Sequence, residues 1–423
     1  MERHNFLLQL VLLCLLFRVK MCFSRANYHQ AATGSAEQSK GIQITHRYSS
    51  TDNHQILLLD QDRIQSMNSI ASNHKYNIDK NGEGTNLPLF GPPLGAGNYL
   101  VTVGFGTPRR DYKLIFDTGS DLTWMQCLPC PVCYDQDDQI FDPSKSSTFS
   151  NASCKVAASC DYNSTYGDKS FSRGYYARDT LTISPSEVFL NFVFGCGENN
   201  SKSFGKAAGL LGLGGEKGLS LMAQTSTSFA KIFCYCLPHS DSSTGYLLFG
   251  IQALKTCQTS NFTPLLSDAK RPYLYFVKLL GITIRNQRLK ISSTNTILDS
   301  GTVITRLPPS VYSKLRSAFM KSMSGYPIAP PVLPLLSTCY NLEGYQNFTA
   351  PKMVLHFDKI SVDLEPEAVI WVENNASQVC LAFAGNKDET ELTIIGNHQQ
   401  RMLNILFDIN ERKVEFGAGA CGN

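Results

Sequence analysis

The sequence predicts a mostly-β protein made of two related halves, and three observations lead there. From about residue 98 onward, short runs of Val, Ile, Leu, Tyr, Phe and Thr are broken by Gly, Pro, Asn and Ser, the texture of strands and tight turns. Leu114-Ile115-Phe116-Asp117-Thr118-Gly119-Ser120 is echoed by Thr296-Ile297-Leu298-Asp299-Ser300-Gly301-Thr302, each an apolar strand followed by Asp-[Thr/Ser]-Gly-[Ser/Thr]. Gly209-Leu210-Leu211-Gly212 is echoed by Thr393-Ile394-Ile395-Gly396, with 95 residues from Asp117 to Gly212 and 97 from Asp299 to Gly396. Two elements that recur at nearly equal spacing imply two lobes of one duplicated β fold.

The elements follow in chain order. Residues 1–24 have the build of a secretory signal. Arg3 and His4 give a positive start, and residues 6–17 form a 12-residue apolar run, too short to span a bilayer. Residues 25–90 are polar, with one apolar segment at 56–59, and end in a Gly/Pro-rich linker from residue 82; they are expected to be a propeptide and linker. Within 25–86 the charges balance at six of each sign, so no strongly basic plug is expected there. The N-terminal lobe is expected over 91–260 and the C-terminal lobe over 261–423. Strands are expected at 99–105, 112–116, 246–249 and 273–284. A helix is expected at 310–320, where Pro308-Pro309 precedes a Val311/Leu315/Ala318-Phe319 stripe, and a weaker one at 219–229.

Composition excludes several classes. Of 423 residues 43% are hydrophobic and 17% charged, so the chain is not disordered in the main. A net charge of +3, from 38 basic and 35 acidic residues, leaves no nucleic-acid footprint. No stable membrane anchor is expected, and a monomer is. Of 14 cysteines, Cys14 and Cys22 fall in the signal region, and the remaining 12 suit up to six disulfides in an exported chain. Cys127-x2-Cys130-x2-Cys133 could be half a metal site. With no close fourth ligand and an oxidising compartment, disulfides are favoured and no metal or cofactor is expected. Six Asn-x-Ser/Thr triplets, at Asn151, Asn163, Asn199, Asn261, Asn347 and Asn375, are candidate glycosylation sites.

Elimination narrows the chemistry. The three histidines after the linker, His239, His356 and His398, form no H-E-x-x-H motif. G-x-S-x-G and P-loop patterns are absent, and Gly104-Phe105-Gly106 has Arg109 where a dinucleotide motif needs its third glycine. One carboxylate per lobe remains, each on the same short loop. Facing one another about a pseudo-two-fold axis, Asp117 and Asp299 would share a proton, because two carboxylates about 3 Å apart cannot both ionise. The charged one takes a proton from water; the neutral one polarises a carbonyl and returns a proton. Each loop residue then has a use. Gly119 and Gly301 allow a tight turn beside the carboxylate, Ser120 and Thr302 donate to its outer oxygen, and Thr118 and Ser300 tie the loops together.

These motifs resemble those of the pepsin-type aspartic endopeptidases, especially the plant nepenthesin-like group. They read FDTGSDLTW (116–124), YGDKSFSRG (166–174), FGCGENN (194–200), GLLGLG (209–214), YCLP (235–238), ILDSGTVITRLP (297–308), VCLAFAG (379–385) and IIGNHQQ (394–400), and together cover about residues 95–421. The resemblance implies a bilobal fold of two β-barrel lobes around a cleft. It also implies hydrolysis of protein or peptide substrates by the Asp117/Asp299 dyad, synthesis as a zymogen, and secretion, with the vacuole as an alternative destination. It casts Tyr166 as a flap tyrosine whose hydroxyl is held by the Trp124 indole, and pairs Cys339 with Cys380. Cys234 and Cys257 depart from the family pattern. An inactive binding protein resembling glycosidase inhibitors of the same fold is the competing reading, and two intact Asp loops weigh against it. A structural glycoprotein would leave those loops unexplained.

Overall fold

The computed structural model describes residues 42–46, 57, 58, 60, 61, 63, 64, 67 and 98–421, apart from 153–159, 167–169, 216–217, 240–243, 332, 346–347, 374–376 and 420. The signal region, Asn347 and Asn375 lie outside them. The described chain is mostly β, in sheets of 14, 7 and 4 strands.

The duplication seen in sequence reappears in the strand pairing. In the first half, Arg110–Asp117 runs parallel to Gly209–Gly212, with Asp117 opposite Gly212. Gly209–Gly212 is antiparallel to Trp124–Gln126, which is parallel to Glu187–Asn200. In the second half, Gln287–Leu298 runs parallel to Thr393–Ile395, with Leu298 opposite Ile395. Thr393–Ile395 is antiparallel to Thr305–Leu307, which is parallel to Phe383–Gly385. Each Asp therefore leaves its strand at the same point of the same motif. Leu114, Phe116, Leu211, Leu298 and Ile394 are all buried, as unbroken apolar runs in parallel pairs require.

The two halves share a core. Leu403–Asp408 and Lys413–Ala418, near the C-terminus, join the 14-stranded sheet through Ile232–Cys236. There Phe233 stacks on Phe407 with centroids 4.7 Å apart, Tyr275 meets Phe407 at 4.5 Å, and Tyr235 meets Phe116 edge-on at 5.0 Å. Pairs of this kind add about 1 kcal/mol each beyond their buried area, and here they underlie the strand that ends in Asp117.

Expected and observed elements differ mostly at their ends. Tyr99–Phe105 is a strand as read, and the expected helix runs Pro309–Ser322 with Leu315, Ala318 and Phe319 buried. The expected strands at 112–116 and 246–249 extend to Arg110–Asp117 and Thr244–Phe249, whereas the one at 273–284 begins only at Phe276. The stretch 219–229 is not one helix. Ser220 caps a single turn, Leu221–Gln224, and Thr225 ends it by bonding back to Leu221 O at 2.7 Å before a second turn, Ser226–Phe229. Hydroxyl-rich Thr225-Ser226-Thr227-Ser228 competes for the backbone in this way. The segment before residue 98 holds more structure than its polarity implies. Ile42–His46 is inserted between Thr244–Phe249 and Tyr99–Phe105, antiparallel to both.

The described cysteines form disulfides. Cys130 pairs with Cys133 and Cys127 with Cys196, so the Cys-x2-Cys-x2-Cys run is spent on crosslinks. Cys236–Cys421 ties the C-terminal residues to the shared sheet, and Cys160 is also disulfide-bonded. Cys234 and Cys257, the two departures from the family pattern, are partners of each other. Cys339 and Cys380 face each other across an antiparallel pair and are bonded; closing that 41-residue loop restricts the unfolded chain by about 4 kcal/mol. Of the candidate glycosylation positions, Asn151, Asn163 and Asn261 are exposed and Asn199 is half-buried. Among the described residues, no helix is long and apolar enough to cross a membrane.

Candidate active site

Two strand ends bring Asp117 and Asp299 together, both fully buried. Each carboxylate is held by its own loop in the same way. The Gly119 N–H donates to Asp117 Oδ1 at 2.9 Å and the Ser120 hydroxyl to Oδ2 at 2.8 Å. The Gly301 N–H donates to Asp299 Oδ1 at 2.8 Å and the Thr302 hydroxyl to Oδ2 at 2.5 Å. The loops are tied reciprocally: the Thr118 N–H donates to Ser300 Oγ at 3.0 Å, and the Ser300 N–H to Thr118 Oγ1 at 2.9 Å. Their hydroxyls donate onward, Thr118 to Leu298 O and Ser300 to Phe116 O, both at 3.2 Å. Buried hydroxyls with both roles satisfied fix the two loops as one unit.

The glycines serve a different purpose from the one expected. Neither Gly119 nor Gly301 has a positive φ, so turn conformation does not demand glycine. Space does: a Cβ on Gly119 would stand 2.6 Å from Asp299 Oδ1, and one on Gly301 would collide with Asp117 Oδ1. The missing side chains are what let the carboxylates approach.

A third group occupies the space between them. Helical positions 57, 60 and 64 put Leu57, Asp60 and Ile64 on one buried stripe, and the same helical segment carries Arg63 to the dyad. Arg63 Nη2 lies 2.9 Å from Asp117 Oδ1 and 3.1 Å from Asp299 Oδ1, and Nε lies 3.3 Å from Asp299 Oδ2. Ile64 packs with Leu274, Phe276 and Ile297, so the segment is seated by apolar contact as well as by charge. The even charge balance of residues 25–86 concealed this, because one guanidinium reaching the dyad leaves no mark on the sum. Burial pushes the Asp299 carboxyl up from its ordinary range; Arg63 opposes this, the Asp117 charge adds to it, and Thr302 and Gly301 pull it down.

Over the same cleft, Asp161–Thr165 and the start of Phe171–Ser184 form a hairpin, with the Tyr166 N–H donating to Ser170 O at 2.7 Å at its tip. The indole N–H of fully buried Trp124 donates to the Tyr166 hydroxyl at 2.6 Å. Phe204 packs edge-on against both rings, at 4.7 and 5.4 Å. A cavity of about 360 Å³ remains beside Arg63, bordered by Ser120, Asp121, Tyr166, Arg271 and Tyr273.

Residues 99–251 match the family model described as xylanase inhibitor N-terminal, and residues 274–418 the one described as xylanase inhibitor C-terminal. An aspartyl protease family protein of Arabidopsis thaliana is 43% identical over 418 residues, spanning 90% of this chain and 87% of the relative. The chain belongs to the aspartyl protease family. Within that family, aspartic proteinase nepenthesin-2 of Nepenthes gracilis is 32% identical, over 81% of this chain and 82% of its own. The fold is also that of soybean basic 7S globulin, with a TM-score of 0.61 at 20% identity over 76% of this chain and 93% of that one.

In this family member the Tyr166–Trp124 contact yields a test. Tyr166→Phe keeps the ring but leaves a buried indole N–H unpaired, which costs about 1–3 kcal/mol in the closed hairpin. We expect Tyr166→Phe to lower kcat/KM severalfold and Tyr166→Ala to lower it about 100-fold, with melting temperatures unchanged within a few degrees. If Tyr166→Ala melts much lower while its folded fraction turns over normally, the ring is a core group and not a flap.

Proposed function

We propose that the chain is a secreted, glycosylated aspartic endopeptidase, made as a zymogen and acting on peptide bonds with the Asp117/Asp299 dyad and an activated water. The observation that carries this reading is two buried carboxylates in matching cradles, both bound by one arginine of the preceding segment. With Arg63 withdrawn, the pair holds two acids in a site that disfavours two charges. The charged carboxylate takes a proton from water as that water attacks the peptide carbonyl. The neutral one gives its proton to the carbonyl oxygen; as the C–N bond breaks, the first carboxyl passes the proton it took from water to the leaving nitrogen and the second recovers one from the tetrahedral diol. Ser120 and Thr302 hold the outer Oδ2 of each carboxylate, and the Gly119 and Gly301 N–H groups steady the Oδ1 atoms that face Arg63 and would face the water once it leaves. The Tyr166 hairpin would close over the substrate and exclude solvent.

In this reading Arg63 is the latch. Its hold depends on negative charge, and burial raises the Asp299 carboxyl, so protonation there begins at a higher pH than for an ordinary carboxylic acid. Lowering pH removes charge facing Arg63 and weakens the latch; raising pH restores it. A binding protein is the second reading, supported by the match to xylanase inhibitor family models, but it gives no use to a duplicated and fully cradled dyad. The pH–rate profile of the processed protein tests the choice. A shared-proton dyad gives a bell with an acidic optimum, whose two apparent constants belong to the pair. A neutral or alkaline optimum would contradict it.

A further inference from the structure

Seven residues after each active-site Asp, the duplicated motifs carry very different side chains. Trp124 stands opposite Leu210 in one half, and Arg306 opposite Ile394 in the other. Trp124 turns its N–H toward the Tyr166 hairpin. Arg306, only 2% exposed, turns its guanidinium toward Asp60 of the preceding segment, with Nη2 2.6 Å from Asp60 Oδ2. The Asp60 carboxylate is itself 4% exposed and accepts two further bonds, from the Val303 N–H at 2.5 Å and the Ile304 N–H at 3.1 Å. Three donors within eight residues of Asp299 thus converge on one carboxylate, three positions along the helical segment from the arginine that occupies the dyad. Leu57 sits beside it at 1% exposure among Val303, Ile304, Leu333 and Trp371.

This carboxylate does not belong to the catalytic halves. When the preceding segment leaves, Arg306 and two backbone N–H groups lose their acceptor in a buried pocket. Arg306 Nε is already buried without a partner. Among the described residues, Asp60 is the only carboxylate in ion-pair contact with Arg306. Glu391, the other carboxylate acting on it electrostatically, accepts the Lys387 N–H at 2.8 Å. A buried guanidinium stripped of its carboxylate is among the costlier states a protein interior can hold, and a planar fork beside two N–H groups suits a carboxylate better than a neutral group.

We infer that Asp60 marks a substrate subsite: Arg306, with the Val303 and Ile304 N–H groups, takes an Asp or Glu side chain of the substrate at one position on one side of the scissile bond, next to an apolar position that takes the place of Leu57. This rests on the peptidase reading and adds the substrate class. A subsite built around charge and hydrogen bonds discriminates strongly against an analogue that cannot satisfy them.

Peptide pairs differing only by Glu or Gln at each position around the cleaved bond test this with the processed full chain at pH 5, where the side-chain carboxylate is ionised. The wild type should prefer Glu at one position by at least about tenfold in kcat/KM. In Arg306→Gln that ratio should fall to near one; Arg306→Lys should retain part of the preference. Absence of any Glu preference in the wild type, or its survival in Arg306→Gln, overturns the inference. A second measurement needs neither turnover nor a folded variant: calorimetric binding of a synthetic peptide of residues 55–70, and of its Asp60→Asn form, to the processed wild type. The Asp60→Asn peptide should bind at least about tenfold more weakly, and equal binding overturns the subsite. Tight, Asp60-dependent binding without cleavage of any peptide would instead keep the subsite and reject the peptidase reading.

Discussion

Asp117→Asn and Asp299→Asn should each lower kcat/KM by about 1000-fold or more in the processed protein, with the melting temperature within a few degrees of wild type. The mechanism needs one charged and one neutral carboxyl in the same pair, and an amide can neither take the proton from water nor return one. Folding should survive, because the amide is nearly isosteric and retains an oxygen for the glycine N–H, while the Ser120 or Thr302 hydroxyl can rotate to accept from the amide nitrogen. Neither substitution touches the Thr118/Ser300 crosslink between the loops. Peptide cleavage and thermal melting on the same preparations check it. Turnover near the wild-type rate by either folded variant would remove the dyad assignment.

Arg63→Gln in the full chain should produce the opposite effect. Its guanidinium, with 12% of the side chain exposed, faces two fully buried carboxylates. Breaking a buried ion pair typically costs about 3–5 kcal/mol, so the open form should gain by about 100-fold or more in population. The unprocessed variant should therefore cleave a short peptide at mildly acidic pH at least about tenfold faster than unprocessed wild type. Arg63→Lys should retain part of the latency, since an ammonium can still sit between the carboxylates but cannot present the planar fork. The assay is initial cleavage rate before any prosegment is released, monitored by intact mass. Equal rates for wild type and Arg63→Gln would mean that Arg63 does not hold the precursor inactive.

The parts of this account that could be read from sequence share a physical character. The dyad and its loops recur at nearly equal spacing, so duplication announces them, and short apolar runs in parallel pairs mark the strands that carry them. Tyr99–Phe105 was readable because turns bound it on both sides. The hairpin of Phe171–Ser184 and Glu187–Asn200 was not: it is a partly exposed ribbon in which Arg173, Gly174, Arg178 and Asp179 interrupt the alternation, and its register shifts three times. Arg63 escaped because a single side chain reaching the dyad leaves no mark on net charge. Asp60 and Arg306 are 246 residues apart, so neither predicts the other. The offset of seven residues that pairs Trp124 with Arg306 across the repeat was present in the sequence, and it is the one signal that could have drawn attention to a buried arginine beside the second Asp loop.

The central claim, a peptidase whose dyad is latched by its own preceding segment, is tested most directly by digestion of acid-denatured globin with the full chain before and after processing, with and without pepstatin. The account predicts no cleavage by the intact precursor, cleavage at acidic pH once the segment has been removed, and loss of that cleavage with pepstatin. Processed, folded protein that leaves globin intact at every acidic pH, or that cleaves it regardless of pepstatin, would contradict it.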